Sequence, residues 1–239
     1  MKRLKYAVIL LLGLSMAMMT SCTKDPDNGG NNGGGNNGNS YNGHEYVDLG
    51  LPSGTLWATC NVGADTPEGY GDYFAWGETS PKATYNWSTY KYCYWDGEYG
   101  QITKYSDDAE YGYNGFTDNL TVLLPEDDAA TTNWGSGWCM PTREQLLELK
   151  NYTTCVESMQ NGVKGLLLTA SNGKTLFLPL AGSRYNDGLQ SVGGSGHYWS
   201  SSLSFSPRGV SLDYVFSIFS VDVSDRSRGQ SVRPVRSSH

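Results

Sequence analysis

Three histidines and five cysteines in 239 residues leave little material for a metal centre. His44, His197 and His239 are scattered, and no two cysteines have chelating spacing, so no metal site and no cofactor is expected. Positive charge is also scarce. Against 24 Asp and Glu stand 17 Lys and Arg, for a net charge of −7. A chain of this balance has no footprint for nucleic acid. No Gly-x-Ser-x-Gly elbow of a hydrolase occurs. Long apolar runs are missing except near the start, from Ala7 to Met19, and that run is too short for a comfortable membrane span. The most informative absence is local. Ser200 to Gly229 contains no Lys, Glu, Gln, Trp, Met or Asn, although those types are common elsewhere.

What is present begins with an address. Lys2, Arg3 and Lys5 precede the apolar run, and Thr20-Ser21-Cys22 follows it. A positive region, a short apolar region and small residues at a cleavage site make residues 1–21 a signal peptide. Cys22 directly behind it marks a bacterial lipoprotein, with Cys22 lipidated as the new N-terminus. Loss of the three cations at positions 2, 3 and 5 takes the net charge from −7 to −10. Acidic lipid would not attract such a protein, so the acyl chains must hold it on the membrane. Residues 22–43 are acidic at first and then nearly all Asn and Gly, which have nothing to bury and read as a tether. A short acidic run behind a lipidated Cys resembles the surface-export signal of Bacteroidota lipoproteins. The expected location is the outer membrane, lipid-anchored and facing the cell surface, with a periplasmic orientation as the alternative.

The remainder is one domain's worth of chain, rich in Gly, Tyr and Trp. Short strands between turn signals predict a sheet-rich α+β fold. Glu45–Leu49 and Thr55–Asn61 read as strands joined by Leu51-Pro52-Ser53-Gly54. Thr142, with Gln145 three residues on, forms a capping box for a helix that buries Leu146, Leu147 and Leu149 and fades near Asn151. Gly165–Ala170 and Thr175–Leu180 read as a hairpin around Asn172-Gly173. Tyr214–Val223 and Ser231–Val235 read as the closing strands. A weaker helix is expected near Ala129–Thr132 or within Ala109–Asn119.

Four cysteines follow Cys22, an even number that permits two disulfides in an exported protein. Cys60 at a strand end and Cys155 just past the helix are the pair expected first, with Cys93 and Cys139 as the others. Sequence alone does not fix the connectivity.

Several blocks together carry a resemblance. Tyr46-Val47-Asp48-Leu49-Gly50-Leu51-Pro52-Ser53-Gly54-Thr55-Leu56-Trp57-Ala58 and the residues up to Ala64 resemble the start of the Fibrobacter succinogenes major paralogous domain. So do Gly71-Asp72-Tyr73-Phe74-Ala75-Trp76-Gly77-Glu78, Asn161-Gly162-Val163-Lys164-Gly165, Tyr198-Trp199-Ser200-Ser201-Ser202 and Ser231-Val232-Arg233-Pro234-Val235. The resemblance covers residues 44–236 and implies a Bacteroidota lipoprotein with a C-type lectin-like fold. That fold is shared with formylglycine-generating enzymes, whose helix-opening motif Met140-Pro141-Thr142-Arg143-Glu144 matches. It implies twisted antiparallel sheets, one or two helices, paired terminal strands and long loops. Cys139 departs from the family, which has Arg before Met-Pro-Thr, and this suggests a local disulfide, with Cys93 as its partner.

The resemblance does not imply catalysis. The formylglycine enzymes use a late pair of cysteines, and here no Cys follows Cys155. Ser195 and His197 in Gly194-Ser195-Gly196-His197 are expected on opposite faces of a strand, unable to act as nucleophile and base. The calcium loops of sugar-binding C-type lectins are missing. Asp107-Asp108 and Glu126-Asp127-Asp128 lack the alternating spacing of a calcium loop, so they read as solvated acidic loops. The aromatic cluster from Tyr85 to Tyr113 reads first as the core of an insert and second as a stacking platform.

A binding surface is expected instead in the C-terminal segment, between two stereotyped blocks. Some C-type lectin-like proteins are diversified by retroelements that randomise template adenines, often in Asn codons AAC. Every residue type from Ser200 to Gly229 is reachable by such changes. The ligand-facing positions expected are Ser204, Ser206, Arg208, Ser211, Asp213, Asp222, Ser224, Asp225, Ser227 and Arg228, joined by Arg184, Tyr185 and Asn186. Arg and Tyr would be the anchors. Tyr214–Val221, apolar on both faces, is expected in the core. Arg233 and Arg236 are expected to make structural hydrogen bonds. The function implied is a surface-displayed ligand-binding lipoprotein whose partner is a glycan or a protein. The rival is a structural envelope or fimbrial component with no exchangeable ligand.

Overall fold

The computed structural model describes residues 39–237. Its elements, in chain order, begin with β1 (Asn39–Tyr41), β2 (His44–Asp48) and β3 (Leu56–Ala58), followed by a ribbon of β4 (Cys93–Trp95) and β5 (Gly100–Ile102). Helices α1 (Ala129–Trp134) and α2 (Arg143–Tyr152) come next. Then follow β6 (Thr153–Gln160), β7 (Val163–Ala170) and β8 (Thr175–Pro179), and the short β9 (Ser183–Tyr185) and β10 (Gly188–Gln190). The chain closes with β11 (Gly196–Phe205), β12 (Arg208–Val215), β13 (Ile218–Asp225) and β14 (Val235–Arg236). Every pairing between these strands is antiparallel. The fold is α+β and sheet-rich, as composition and turn spacing predict.

The order β1-β2-β3-β14 brings the two ends of the described chain into one sheet. β1 lies in the segment expected as tether. Two further three-stranded sheets, β6-β7-β8 and β11-β12-β13, and two ribbons complete the fold. The Pro-Gly turn before β3 is closed by Gly54 N–H donating to Leu51 O at 2.9 Å.

Helix α2 starts where its capping box puts it. Thr142 Oγ1 accepts from Gln145 N–H at 3.3 Å, and Gln145 Oε1 accepts from Thr142 N–H at 2.9 Å. Glu144 in its first turn and Lys150 in its last suit the helix dipole. Leu146 and Leu149 are buried, while Leu147 is only partly so. The weaker helix is α1, capped by Asp128, whose side chain accepts from Thr131 N–H at 2.9 Å.

The core has two parts. An aromatic cluster holds Phe74, Trp76, Tyr90, Tyr105, Trp138 and Trp199. An aliphatic one holds Leu49, Leu146, Leu149, Leu166, Leu168 and Leu178 around Trp57. Indole N–H groups buried in this way need acceptors. Trp76 Nε1 donates to Ser200 O and Trp199 Nε1 to Phe74 O, both at 2.8 Å. These two bonds pin β11 to the 70s loop. Within the aromatic insert, Tyr85, Tyr90, Tyr92 and Tyr105 are buried, whereas Tyr94, Trp95, Tyr99 and Tyr111 are exposed.

One sequence expectation about strands fails. Tyr214–Val223 is not one strand: it turns at Phe216-Ser217, with Val215 opposite Ile218. Its second half, β13, is the outer strand of its sheet, so Ile218 is 64% exposed and Phe216 92%. Apolar residues on both faces had suggested a core strand, but an edge position leaves them in solvent. The hairpin expected around Asn172-Gly173 does form, between β7 and β8, with Thr169 opposite Thr175 and Gly173 N–H donating to Ala170 O at 3.0 Å.

The expected disulfides fail as well. Cys60, Cys93 and Cys155 carry free thiols, so neither Cys60–Cys155 nor Cys93–Cys139 forms. The reason is placement. Cys60 and Cys93 pack on the aromatic cluster, Cys139 and Cys155 on the aliphatic one. Burial pushes the thiols of Cys60, Cys93 and Cys155 up, which lowers their reactivity.

Candidate functional site

A cleft of about 620 Å³ opens between the β11-β12-β13 sheet and the loop that follows β10. Four of the positions expected to face a ligand line it: Arg208, Ser224, Asp225 and Arg228. The hairpin builds this group. Arg208 opens β12 directly opposite Asp225, the last residue of β13. Arg208 Nη1 lies 3.2 Å from Asp225 Oδ1, and Arg228 Nε lies 3.8 Å from Asp225 Oδ2. Two guanidinium groups share one carboxylate, leaving one positive charge unmatched within this trio. The Arg228 guanidinium also lies 4.8 Å from the centre of the Tyr185 ring, a cation–π contact.

Other expected positions divide by burial. Ser204 and Asp222 are exposed, as are Tyr185 and Asn186, but none of these four lines the cleft. Asn186 exchanges backbone hydrogen bonds with Tyr85, and its side chain accepts from Asn86 Nδ2 at 3.0 Å. Arg184 is half-buried and exchanges backbone bonds with Gly229. Ser206, Ser211, Asp213 and Ser227 are buried, which corrects their assignment as ligand-facing. Polar type misled there. Ser206 serves the 105–107 loop, donating to Tyr105 O and accepting from Asp107 N–H. Arg226, inside the variable-looking segment, is fully buried. It donates to Tyr105 O at 2.8 Å and stacks on Trp76. That anchor holds the 226–229 loop beside the cleft.

The sequence missed the rest of the lining. Gln230 lies in the stereotyped block, lines the cleft and is 1% exposed, and its amide oxygen is buried without a hydrogen-bond partner. Val215 and Phe216 add an apolar margin. Ser195 and His197 line it too, and here the expectation is reversed. Residues two apart share a strand face, because the side-chain period is two. His197 Nε2 lies 3.1 Å from Ser195 Oγ, and His197 Nδ1 lies 3.1 Å from Asp213 Oδ1. Asp213 is the cross-strand neighbour of His197.

The turn at Phe216-Ser217 is unusual in its chemistry. Both residues have positive φ, 50° and 63°. The same two-residue backbone occurs at Asn42-Gly43, with φ 48° and 79°, and at Asn161-Gly162, with 48° and 82°. Those two have the residues such a turn prefers. Phe and Ser do not suit it.

Two acidic residues away from the cleft, Asp127 and Asp118, are occupied by the protein's own donors. Asp127 accepts from the hydroxyls of Tyr92 and Tyr105 and pairs with Lys104 at 2.5 Å and Lys91 at 3.3 Å. Burial pushes its carboxyl up, but these donors outweigh that and hold it below the usual range. Asp118 accepts from the N–H groups of Tyr105, Ser106 and Leu120. Among the described residues no group of three or more His, Cys, Asp or Glu is placed to hold a metal ion. No helix among them is long and apolar enough to cross a membrane. Cys22 and the expected signal peptide lie outside the described residues.

Comparison with protein-family models, curated proteins and solved structures returned no match.

Proposed function

We propose that this is a lipid-anchored, surface-displayed binding protein of Bacteroidota, built on a C-type lectin-like major paralogous domain. Its ligand would be an acidic glycan or the acidic face of a protein. The observation that carries the reading is the cleft at Arg208, Asp225 and Arg228, where one cation is in excess in a protein of net charge −7. Charge complementarity of this kind selects and steers partners. Phe216 supports it differently. A bulky, exposed residue at positive φ is poorly chosen for folding, which suits a contact residue. The paired terminal strands and the single long helix on antiparallel sheets are compatible with the lectin-like arrangement. The N-terminal signal pattern ending at Cys22 supports the anchor.

The test is a glycan and peptide array probed with the purified protein and with Arg228→Glu. Binding concentrated on carboxylate- or sulfate-bearing probes, weakened at least about tenfold by the substitution, is expected for a pair of this type. Retention of neutral probes only, or indifference to Arg228→Glu, would sink the reading.

One observation favours the structural rival. β6 is an outer strand with Val156 54% and Met159 62% exposed, and such an edge can pair with another chain. Concentration-dependent assembly lost on Val156→Lys would support that alternative.

A further inference from the structure

The geometry points to Ser195, His197 and Asp213 as a nucleophile, base and orienting acid that cleave a carboxylic ester bound in the cleft. This goes beyond binding: the reacting trio is a separate group of atoms, and only the substrate class rests on the cationic cleft of that reading.

With Asp213 ionised and His197 neutral, the donor–acceptor sequence has one assignment. An ionised Asp213 can only accept, so the 3.1 Å contact to His197 Nδ1 needs a proton on that nitrogen. In the neutral ring Nε2 is then the acceptor, and its neighbour at 3.1 Å is Ser195 Oγ. The Ser195 proton therefore points at a base held in the correct tautomer. Three roles in a row at hydrogen-bond distance define an activated hydroxyl.

The scaffold holds each member. His197 and Asp213 are cross-strand partners on β11 and β12. Ser195 precedes β11, and its backbone is fixed on both sides. Its N–H donates to Ser191 O at 2.9 Å, and its carbonyl accepts from Gly182 N–H at 2.8 Å. Ser195, 5% exposed, and His197 line the cleft, and Asp213, 8% exposed, does not. An orienting carboxylate out of solvent and a nucleophile at a cavity wall are the arrangement the chemistry needs.

The step balances without a co-reactant. Ser195 Oγ attacks the acyl carbon as its proton passes to His197 Nε2. The tetrahedral oxyanion collapses, the C–O bond to the alcohol breaks, and the alcohol leaves with that proton. Water then attacks the acyl-serine by the same route, releasing the acid and restoring the serine. Arg208 and Arg228 line the same cleft and supply positive field for the oxyanion. Their excess charge makes an ester that carries a nearby anionic group the substrate class.

The test begins with the wild-type chain and a fluorophosphonate, whose phosphorus takes the serine oxygen and loses fluoride. Peptide mass spectrometry is expected to find the adduct on Ser195 in folded protein and none after unfolding in urea. His197→Ala should slow labelling by at least about 100-fold and Asp213→Asn by at least about tenfold, the range of general-base assistance. A 4-nitrophenyl ester bearing a carboxylate should then be turned over with a lower KM than 4-nitrophenyl acetate. Arg228→Glu should remove that preference. An unlabelled Ser195 in folded wild-type protein, or equal labelling of the unfolded chain, overturns the proposal whatever the variants do.

Discussion

Arg233, two residues before β14, reaches across to Asn61 after β3, with Nε 2.8 Å from the side-chain oxygen Oδ1. The same guanidinium donates to the carbonyls of Ala58 at 3.1 Å and Thr59 at 2.6 Å and is 1% exposed. It ties the last sheet strand to the first segment of the domain. Arg236 beyond it works by stacking, 3.6 Å from the centre of the Tyr41 ring.

Arg233→Met is therefore expected to cost about 3–5 kcal/mol, because it leaves buried acceptors without donors. Arg233→Lys should recover only part of that, since an ammonium cannot reproduce the planar fork. Urea unfolding of the three proteins decides it. Equal midpoints would mean that the strand is held by β14 pairing alone.

Asp128 gives a pH dependence of known sign. Burial lifts its carboxyl from 3.8 to about 6. The folded state thus holds the proton more tightly than the unfolded one, so this group's stabilisation is complete below about pH 4 and declines as pH rises to about 6. The swing corresponds to about 3 kcal/mol at the conversion of one pKa unit to 1.36 kcal/mol. Asp128→Asn should flatten the profile in that window. It should also lower the acid-side plateau, because Met140 N–H loses the Oδ2 acceptor now 2.8 Å away. Calorimetric melts from pH 4 to pH 7 test this, and parallel curves for both proteins would refute it.

Phe216→Asn with Ser217→Gly is expected to raise stability by about 1–2 kcal/mol, because both residues then suit positive φ. Ligand affinity should fall in the same variant. A stability gain without a binding loss would remove Phe216 from the contact surface.

Deep sequencing of the 3′ end of the gene across a grown population addresses diversification. Substitutions at template adenines are expected between the codons of Ser202 and Gly229. They should concentrate at exposed positions such as Ser204, Phe216, Ile218 and Asp222 and spare the buried Ser211, Arg226 and Ser227. A uniform segment would leave a binder of fixed specificity.

Legibility in the sequence followed the locality of the physics. The capping box at Thr142 and Gln145 is a contact within one turn, and the helix starts there. The Pro-Gly turn before β3 is equally local. The hairpin at Phe216 was invisible because no Asn or Gly marks it, so two strands read as one. The two expected cysteine pairs failed because each would join a residue on one half of the core to a residue on the other. In the site, Arg208, Ser224, Asp225 and Arg228 were legible as polar positions in an unusual segment. Gln230 was not, since it sits in a block that reads as frame. The contact of Ser195 with His197 could have been found from spacing alone, because residues two apart on a strand share a face.

The division of the core has a spectroscopic consequence. Trp76, Trp134, Trp138 and Trp199 belong to the aromatic half, and Trp57 is the tryptophan of the aliphatic half. Indole emission and near-ultraviolet dichroism are thus weighted towards one side of the molecule. The leucine-rich side, with α2 and the β6-β7-β8 sheet, is nearly dark. A fluorescence melt would mainly follow the scaffold around Trp76 and Trp199, while loosening of the other half would register through Trp57 alone and in amide exchange.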